Sequence, residues 1–287
     1  MKILTVDIGT GTQDIFLYDS HLDLENGLKM VVPSPTLIVH RRLKEATRLG
    51  LPVVLTGATM GGGPSQWAAE AHIRAGLPLF ATPDAARSFN DDLSAVAEMG
   101  VQIIGEEEAR RLSSTVQRLQ LCDFDFPAIS AAFAAFGVSL SSLDAVAIAA
   151  FDHGAAPPEI SDRRFRFEYL EQRIRAENRL SAFAYRADQI PSILTRLQFV
   201  AHSARDVDAP LVVMDSAPAA VLGATFDTVA ANASRKIMVN VGNLHTLAFR
   251  LGPTGIEGVF EHHTGLLTTA ALDELLEDLA NGSLTNA

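Results

Sequence analysis

Asp7-Ile8-Gly9-Thr10-Gly11-Thr12-Gln13 has the parts of a phosphate cradle. Glycines let backbone N–H groups approach an anion, and the threonine hydroxyls and the Gln13 amide add donors. Asp7, at the end of the apolar run Ile3 to Ile8, can hold a hydrated Mg²⁺ against the same phosphates. The same residues also make an ordinary Gly/Thr turn, and composition alone leaves both readings standing. Asp152-His153-Gly154 is a second candidate, delivered by the apolar run Ala145 to Phe151. A carboxylate beside an imidazole can act as base and orienter or as a metal pair, whereas a loop pair that bonds only backbone would carry no chemistry.

Three further groups read first as structure. Glu261-His262-His263 offers donors that suit transition metals. Adjacent strand residues point to opposite faces, however, so one ion rarely takes both histidines. Gly61-Gly62-Gly63-Pro64-Ser65 leads into a helix N-terminus, which favours anions, but it lacks the lysine of a Walker loop and reads as a tight turn. Arg163, Arg164 and Arg166 interleave with Phe165 and Phe167; at a net charge of −11 they read as a solvated or interface helix rather than a nucleic-acid stacking surface.

These residues need elements to position them. The runs Ile3 to Ile8 and Ile15 to Tyr18 predict a hairpin, and Leu28 to Val32 a third strand stopped by Pro33. Alternation then predicts helix 37–49, strand 52–55, helix 64–75, strand 77–81, helix 84–99, strand 101–104 and helix 106–119. That spacing implies a parallel sheet flanked by helices, an α/β unit at about 34–118. Helix 126–136 precedes the strand 145–151, whose C-terminal end is where open α/β sheets bind ligands. The second part predicts helix 188–204, strand 211–214, helix 217–231, strands 237–241, 246–251 and 256–260, and a last helix with Leu272, Leu275, Leu276 and Leu279 on one face. Leu4 to Thr10 also repeats as Ile237 to Asn243, so Asp7 aligns with Asn240 and Gly9 with Gly242. Two such turns recurring at one offset predict a shared cleft.

Composition narrows the classes. The 287 residues are 48% hydrophobic and 20% charged, enough apolar material for large cores and too much for a disordered chain. The net charge of −11 argues against a nucleic-acid duplex or an anionic membrane as main partner. No run approaches the roughly 18 apolar residues of a membrane span, and Asp7 interrupts any signal-peptide core, so the expectation is a cytoplasmic protein. Cys122 is the only cysteine, which excludes an intramolecular disulfide or a cysteine-held cluster built from this chain.

Asp7-Ile8-Gly9-Thr10 with Asp14 resembles the first phosphate motif of the actin, sugar-kinase and heat-shock-chaperone ATPase superfamily. Asp215-Ser216-Ala217-Pro218-Ala219-Ala220-Val221-Leu222-Gly223 is similar to its connecting helix, and Val239-Asn240-Val241-Gly242-Asn243-Leu244-His245-Thr246 to its second phosphate motif. With Asp152-His153-Gly154-Ala155-Ala156-Pro157, these segments resemble an uncharacterised bacterial and archaeal family along essentially the whole chain. That family is sometimes labelled a pyruvate formate-lyase activating enzyme. The label conflicts with the lone Cys122, because such a radical activator needs three clustered cysteines.

The resemblance implies an α/β fold of two ribonuclease-H-like halves. Residues 1–160 would form the first half with the inserted α/β unit, 161–210 a helical junction, and 211–287 a second half. It implies ATP and Mg²⁺ as cofactors. Asp7 would hold the metal. Gly9, Thr10, Gly11, Thr12 and Gln13 would face Asn240, Gly242, Asn243, His245 and Thr246 around the nucleotide, with Asp152 and His153 as catalytic residues. Two departures stand out. The second motif begins with Asn240 where active ATPases carry an acid, and only one helix and a tail follow Phe260, where a glycine-pair adenosine motif is expected further along. Three functions follow: a phosphotransferase or ATPase acting on a small molecule, a nucleotide- or ligand-binding regulator without turnover, and a metal-dependent hydrolase using Asp7, Asp152 and the histidines.

Overall fold

β1 (Lys2–Ile8) and β2 (Thr12–Asp19) form the predicted hairpin, with Asp7 paired to Asp14 and Ile8 to Gln13. The computed structural model describes residues 1–157 and 159–285; Pro158, expected to stiffen the exit from the Asp152-His153 pair, lies outside the described residues. β3 (Leu28–Pro33) pairs antiparallel with β2 and leads through the N-cap Ser34 into α1 (Pro35–Arg48).

The α/β unit expected after β3 is present. It runs through β4 (Val53–Gly57), α2 (Pro64–Arg74), β5 (Leu79–Ala81), the short helices α3 (Pro83–Ala86) and α4 (Leu93–Glu98), β6 (Gln102–Ile103), α5 (Glu106–Arg111) and β7 (Gln117–Leu121). Its four strands lie in the order β6-β5-β4-β7, all parallel. Two predicted helices are shorter than expected. Asn90 and Asp92 break the 84–99 segment, since the Asn90 side chain accepts from the Asp92 amide and Asp92 caps α4. Ser113 likewise accepts from the Thr115 amide, which ends the 106–119 helix and frees 117–121 to become β7, with Leu119 and Leu121 buried.

The chain returns through α6 (Phe126–Ala135) to β8 (Ala145–Ala150), then α7 (Asp162–Ala176), β9 (Ala184–Arg186), α8 (Thr195–Ser203), β10 (Leu211–Met214), α9 (Ser216–Ala224) and α10 (Thr228–Asn232). β8 runs beside β1 and is parallel to it, giving a six-stranded sheet in the order β3-β2-β1-β8-β10-β9. Two expectations need correction here. Leu211–Met214 belongs to this first sheet rather than to a second half, because β10 pairs in parallel with β8. The 161–210 segment is not wholly helical, since β9 closes the sheet edge against β10.

α6 and α8 cover one face of the sheet. Ile129, Phe133, Leu197 and Val200 pack there on Leu4, Val6, Ile8, Val146 and Ile148. β8 is central, but its burial alternates: Ala145, Ala147 and Ala149 face the other side. There Ala147 and Ala149 line, with Thr5, Phe16, Val212 and Ala219 of α9, a cavity of about 550 Å³. The chain ends in a second sheet, β11 (Lys236–Val241), β12 (His245–Gly252) and β13 (Gly255–His263), antiparallel throughout and backed by α11 (Thr269–Asn281). Three antiparallel strands followed by a helix repeat the order of β1, β2, β3 and α1. No helix among the described residues is long and apolar enough to cross a membrane.

Candidate functional site

The two glycine turns match in backbone detail. The Gly9 amide donates to the Thr12 carbonyl at 3.0 Å, and the Gly242 amide donates to the His245 carbonyl at 2.9 Å. Val241 pairs with Thr246 as Ile8 pairs with Gln13, and Asn240 with Leu247 as Asp7 with Asp14. Each turn is also tied to the residue that follows its third strand. The Ser34 amide donates to the Gly11 carbonyl and its hydroxyl to the Thr10 carbonyl. In the second copy the Thr264 amide donates to the Leu244 carbonyl and its hydroxyl to the Gly242 carbonyl. Glycine is required where the chain begins each turn, because a β-carbon on Gly9 would lie 2.9 Å from the Thr12 oxygen and one on Gly242 2.8 Å from the His245 oxygen.

The turns face one another. A β-carbon on Gly11 would meet the Asn243 amide nitrogen at 2.8 Å, so the two tips approach as closely as their side chains allow. The Gly61-Gly62-Gly63 loop joins them: a β-carbon on Gly63 would touch both Leu244 and Thr10. Thr36 anchors this loop by donating to the Gly62 carbonyl while accepting from the Ser65 amide at the start of α2. Three glycine-bearing loops and the N-terminus of α2 thus converge.

Asp7 stands at the mouth of this junction. Its Oδ1 accepts from Ser216, the first residue of α9, at 2.8 Å. The side chain is reached by solvent, yet its recess is deep enough that desolvation, with repulsion from Asp14 and Asp215, outweighs the Ser216 hydrogen bond and raises its carboxyl above the ordinary value. Thr10, Thr12, Asn240, Asn243 and His245 all retain exposed surface. Gln13 and Thr246 do not. Both were expected to offer donors to the cleft, but strand alternation turns them under their hairpins. Gln13 is buried with its Nε2 3.4 Å from the Pro33 carbonyl, and Thr246 is buried with its hydroxyl 3.0 Å from that of Thr264. They brace the turns from below.

Asp152 does lie at the end of β8, but it is 4% exposed and both oxygens are committed. Oδ1 accepts from the Gly154 amide at 2.8 Å, and Oδ2 accepts from Leu197 at 2.9 Å, inside the first turn of α8. Burial pushes its carboxyl up against the opposing effect of these two amides. A carboxylate so placed caps a helix that has no capping side chain of its own. His153 is exposed, with Nδ1 2.8 Å from the Gly154 carbonyl. The expected Asp-His catalytic pair is therefore not assembled as a pair. Among the described residues no group of three His, Cys, Asp or Glu side chains is placed to hold a metal ion. His262 and His263 bond locally instead, Nδ1 of His262 to the His263 carbonyl and Nδ1 of His263 to the Gly265 amide.

Two arginines, Arg166 buried and Arg196 half-buried, knit the site together. Arg166, 3% exposed, donates to both oxygens of Asp215 at 2.7 and 3.1 Å, to Glu261 at 2.8 Å and to the Asp152 carbonyl at 2.7 Å, with its guanidinium 4.1 Å above the Phe151 ring. Burial works against its charge, but Asp215 and Glu261 more than compensate and hold it protonated. Arg196 pairs with both oxygens of Asp123 at 2.7 and 3.1 Å and with the Phe151 carbonyl at 2.7 Å, close under Gly61. Arg166 joins the end of β8, the N-cap of α9 and β13; Arg196 joins the same strand end to the inserted unit. The expectation of a solvated or interface helix for Arg163, Arg164 and Arg166 did not separate the inward Arg166 from its neighbours. The available signal was helical spacing, since Arg166 lies one turn before the buried Leu170 and shares its inward face.

Comparison with known proteins adds a family and little else. Curated proteins give no sequence match. One solved structure, the crystal structure of an exopolyphosphatase-like protein, is similar at 10% identity with a TM-score of 0.28, over 98% of this chain and 60% of that one. This chain thus spans less than two thirds of that protein's length. Residues 60–287 match the family model described as "Putative pyruvate format-lyase activating enzyme (DUF1786)", and on that match the chain belongs to the DUF1786 family.

Proposed function

We propose that the protein binds ATP·Mg²⁺ between its two glycine turns and acts as a small-molecule phosphotransferase or ATPase, with two related ribonuclease-H-like halves forming the cleft. The observation that carries this reading is the duplicated turn: two hairpins of one backbone geometry meet tip to tip at Gly11 and Asn243. Their amides and the hydroxyls of Thr10 and Thr12 would hold phosphate oxygens, with the N-terminus of α2 adding favourable field. Asp7 fits a hydrated Mg²⁺, which typically takes one or two carboxylates and completes its shell with water and phosphate. Bound there, the ion would neutralise charge on the transferring phosphoryl group. Asp152 would act as a positioning residue, holding α8 and the end of β8. The reaction class in the family's description fits these residues poorly, because Cys122 alone cannot hold an iron–sulfur cluster.

A regulator that binds nucleotide without turnover is favoured by one specific observation: Asn240 occupies in the second turn the place that Asp7 holds in the first. Calorimetry with ATP, ADP and Mg²⁺ tests both readings. Saturable, Mg²⁺-dependent binding is expected, and Asp7→Asn should weaken it about tenfold, or about 1.4 kcal/mol. Equal affinity of the variant with Mg²⁺ present would remove Asp7 from the metal role, and no nucleotide binding at all would overturn the proposal. Phosphate release from bound ATP separates the enzyme from the regulator.

A further inference from the structure

His245 is the only titratable side chain within either turn, Gly9–Thr12 or Gly242–His245. Its Nδ1 stands 3.2 Å from Glu261 Oε1, and its ring stacks on Phe151 with centroids 4.2 Å apart and planes at 24°. Phe151 follows Ala150, the partner of Ile8, so the stack ties the imidazole to the end of β8 beside the strand that leads into the first turn. Glu261 is buried, and burial works to raise its carboxyl. The hydrogen bond with His245 and the Arg166 charge overcome that and keep it below the ordinary carboxylate range. Its other oxygen accepts from Arg166 Nε at 2.8 Å. An ionised carboxylate only accepts hydrogen bonds, so neutral His245 carries its proton on Nδ1 and its lone pair on Nε2. The side chain is 39% exposed and its Nδ1 is engaged by the buried carboxylate, so Nε2 is the ring nitrogen left without that partner.

We propose that His245 is the proton acceptor of this site, taking on Nε2 the proton of the hydroxyl or water that attacks the terminal phosphoryl group of a nucleoside triphosphate. The proposal rests on the nucleotide reading above. In the step, the attacking oxygen forms a bond to phosphorus, and the bond from phosphorus to the bridging oxygen breaks. The electron pair leaves with the nucleoside diphosphate, and the proton stays on Nε2 until solvent removes it. Glu261 stabilises the imidazolium, and Arg166 fixes Glu261. The charged or titratable groups around His245 are Glu261 and His263 of β13, the latter ring 6.1 Å away, and Arg166 of α7 behind Glu261; the end of β8 presents Phe151. Asp152, its oxygens both taken by amides, is not required for the proton.

The test measures phosphate release from ATP·Mg²⁺ against pH for the full chain and for His245→Gln and His245→Asn, with ATP calorimetry and a thermal melt of each. Both variants should melt like the parent, bind ATP within about threefold of it at pH 8, and lose about 10²-fold or more of the turnover. They should also lose the acid limb of the pH–rate profile that a protonatable base gives the parent. Variants that keep both turnover and this acid limb overturn the assignment, as does a parent that binds ATP and releases no phosphate. A parent that binds no ATP overturns the nucleotide reading itself, which the calorimetry reports separately.

Discussion

At Gly9–Thr12 the strand leading into the turn carries an exposed carboxylate, Asp7, bonded to the start of α9; at Gly242–His245 the same position is the neutral Asn240. The residue closing the first turn is Thr12, and in the second it is His245, held by a buried glutamate. Beneath the turns, Gln13 and Thr246 both face inward. The turns share what the backbone needs, glycine at the first position and a hydroxyl residue after the third strand, and differ where side chains meet the cleft. A duplicated frame can carry two different tools, because the amide geometry tolerates any side chain at its rim but only glycine at its start.

The largest expected effect breaks the link between the two sides. Arg166→Met leaves Asp215 and Glu261 buried without their cation, and removing one partner of a buried ion pair costs about 3–5 kcal/mol. Urea unfolding should show that loss. Neutralising Asp215 and Glu261 in the same chain should recover part of it, since the uncompensated charges are the source of the cost. An unchanged midpoint for Arg166→Met would mean that the first sheet and the second hairpin do not depend on one another.

Next come the glycines. Gly9→Ala and Gly242→Ala each drive a β-carbon into a carbonyl within 3 Å that is fixed by the turn's own hydrogen bond. Each should destabilise by about 1–3 kcal/mol, the ordinary range for a forced backbone clash, and by similar amounts. A large effect at one glycine and none at the other, read by denaturant unfolding, would dissolve the equivalence of the two turns.

The sequence carried much of this frame because turn glycines and strand periodicity are local signals. The repeat of Asp7-Ile8-Gly9 as Asn240-Val241-Gly242 located both turns, and the β8 run placed Asp152 correctly along the chain. It misjudged what depends on side-chain direction. Gln13 and Thr246 have the right chemistry for phosphate but sit on the inward beat of a strand, which one residue of register decides. Asp152 has the right chemistry for a base, yet α8, distant in sequence, takes up one of its oxygens. Arg166 was hidden by neighbours of the same type, since charge runs show composition and conceal which member faces inward. β9 gave no signal, being three residues long and paired only through β10.

The smallest effect separates binding from stability at Asp7. Its carboxyl is raised by desolvation first and by the nearby Asp14 and Asp215, so without ligand the ionised form is disfavoured in the folded state. A raised carboxyl binds its proton more readily folded than unfolded. The stability it contributes is full below the ordinary value of 3.8 and is lost as pH rises through the higher folded value. Asp7→Asn should therefore leave the ligand-free protein slightly more stable than the parent at neutral pH, with the difference closing on acidification through that window. Asn240→Asp should do the reverse at neutral pH, placing a carboxylate where the second turn now has an amide. Thermal melts of the three proteins at pH 7.5 and again near pH 4 read both signs. If Asp7→Asn instead melts lower at neutral pH, the Ser216 hydrogen bond outweighs the desolvation of Asp7. The first turn's carboxylate would then be a structural anchor for α9 rather than a charge held ready for a metal ion.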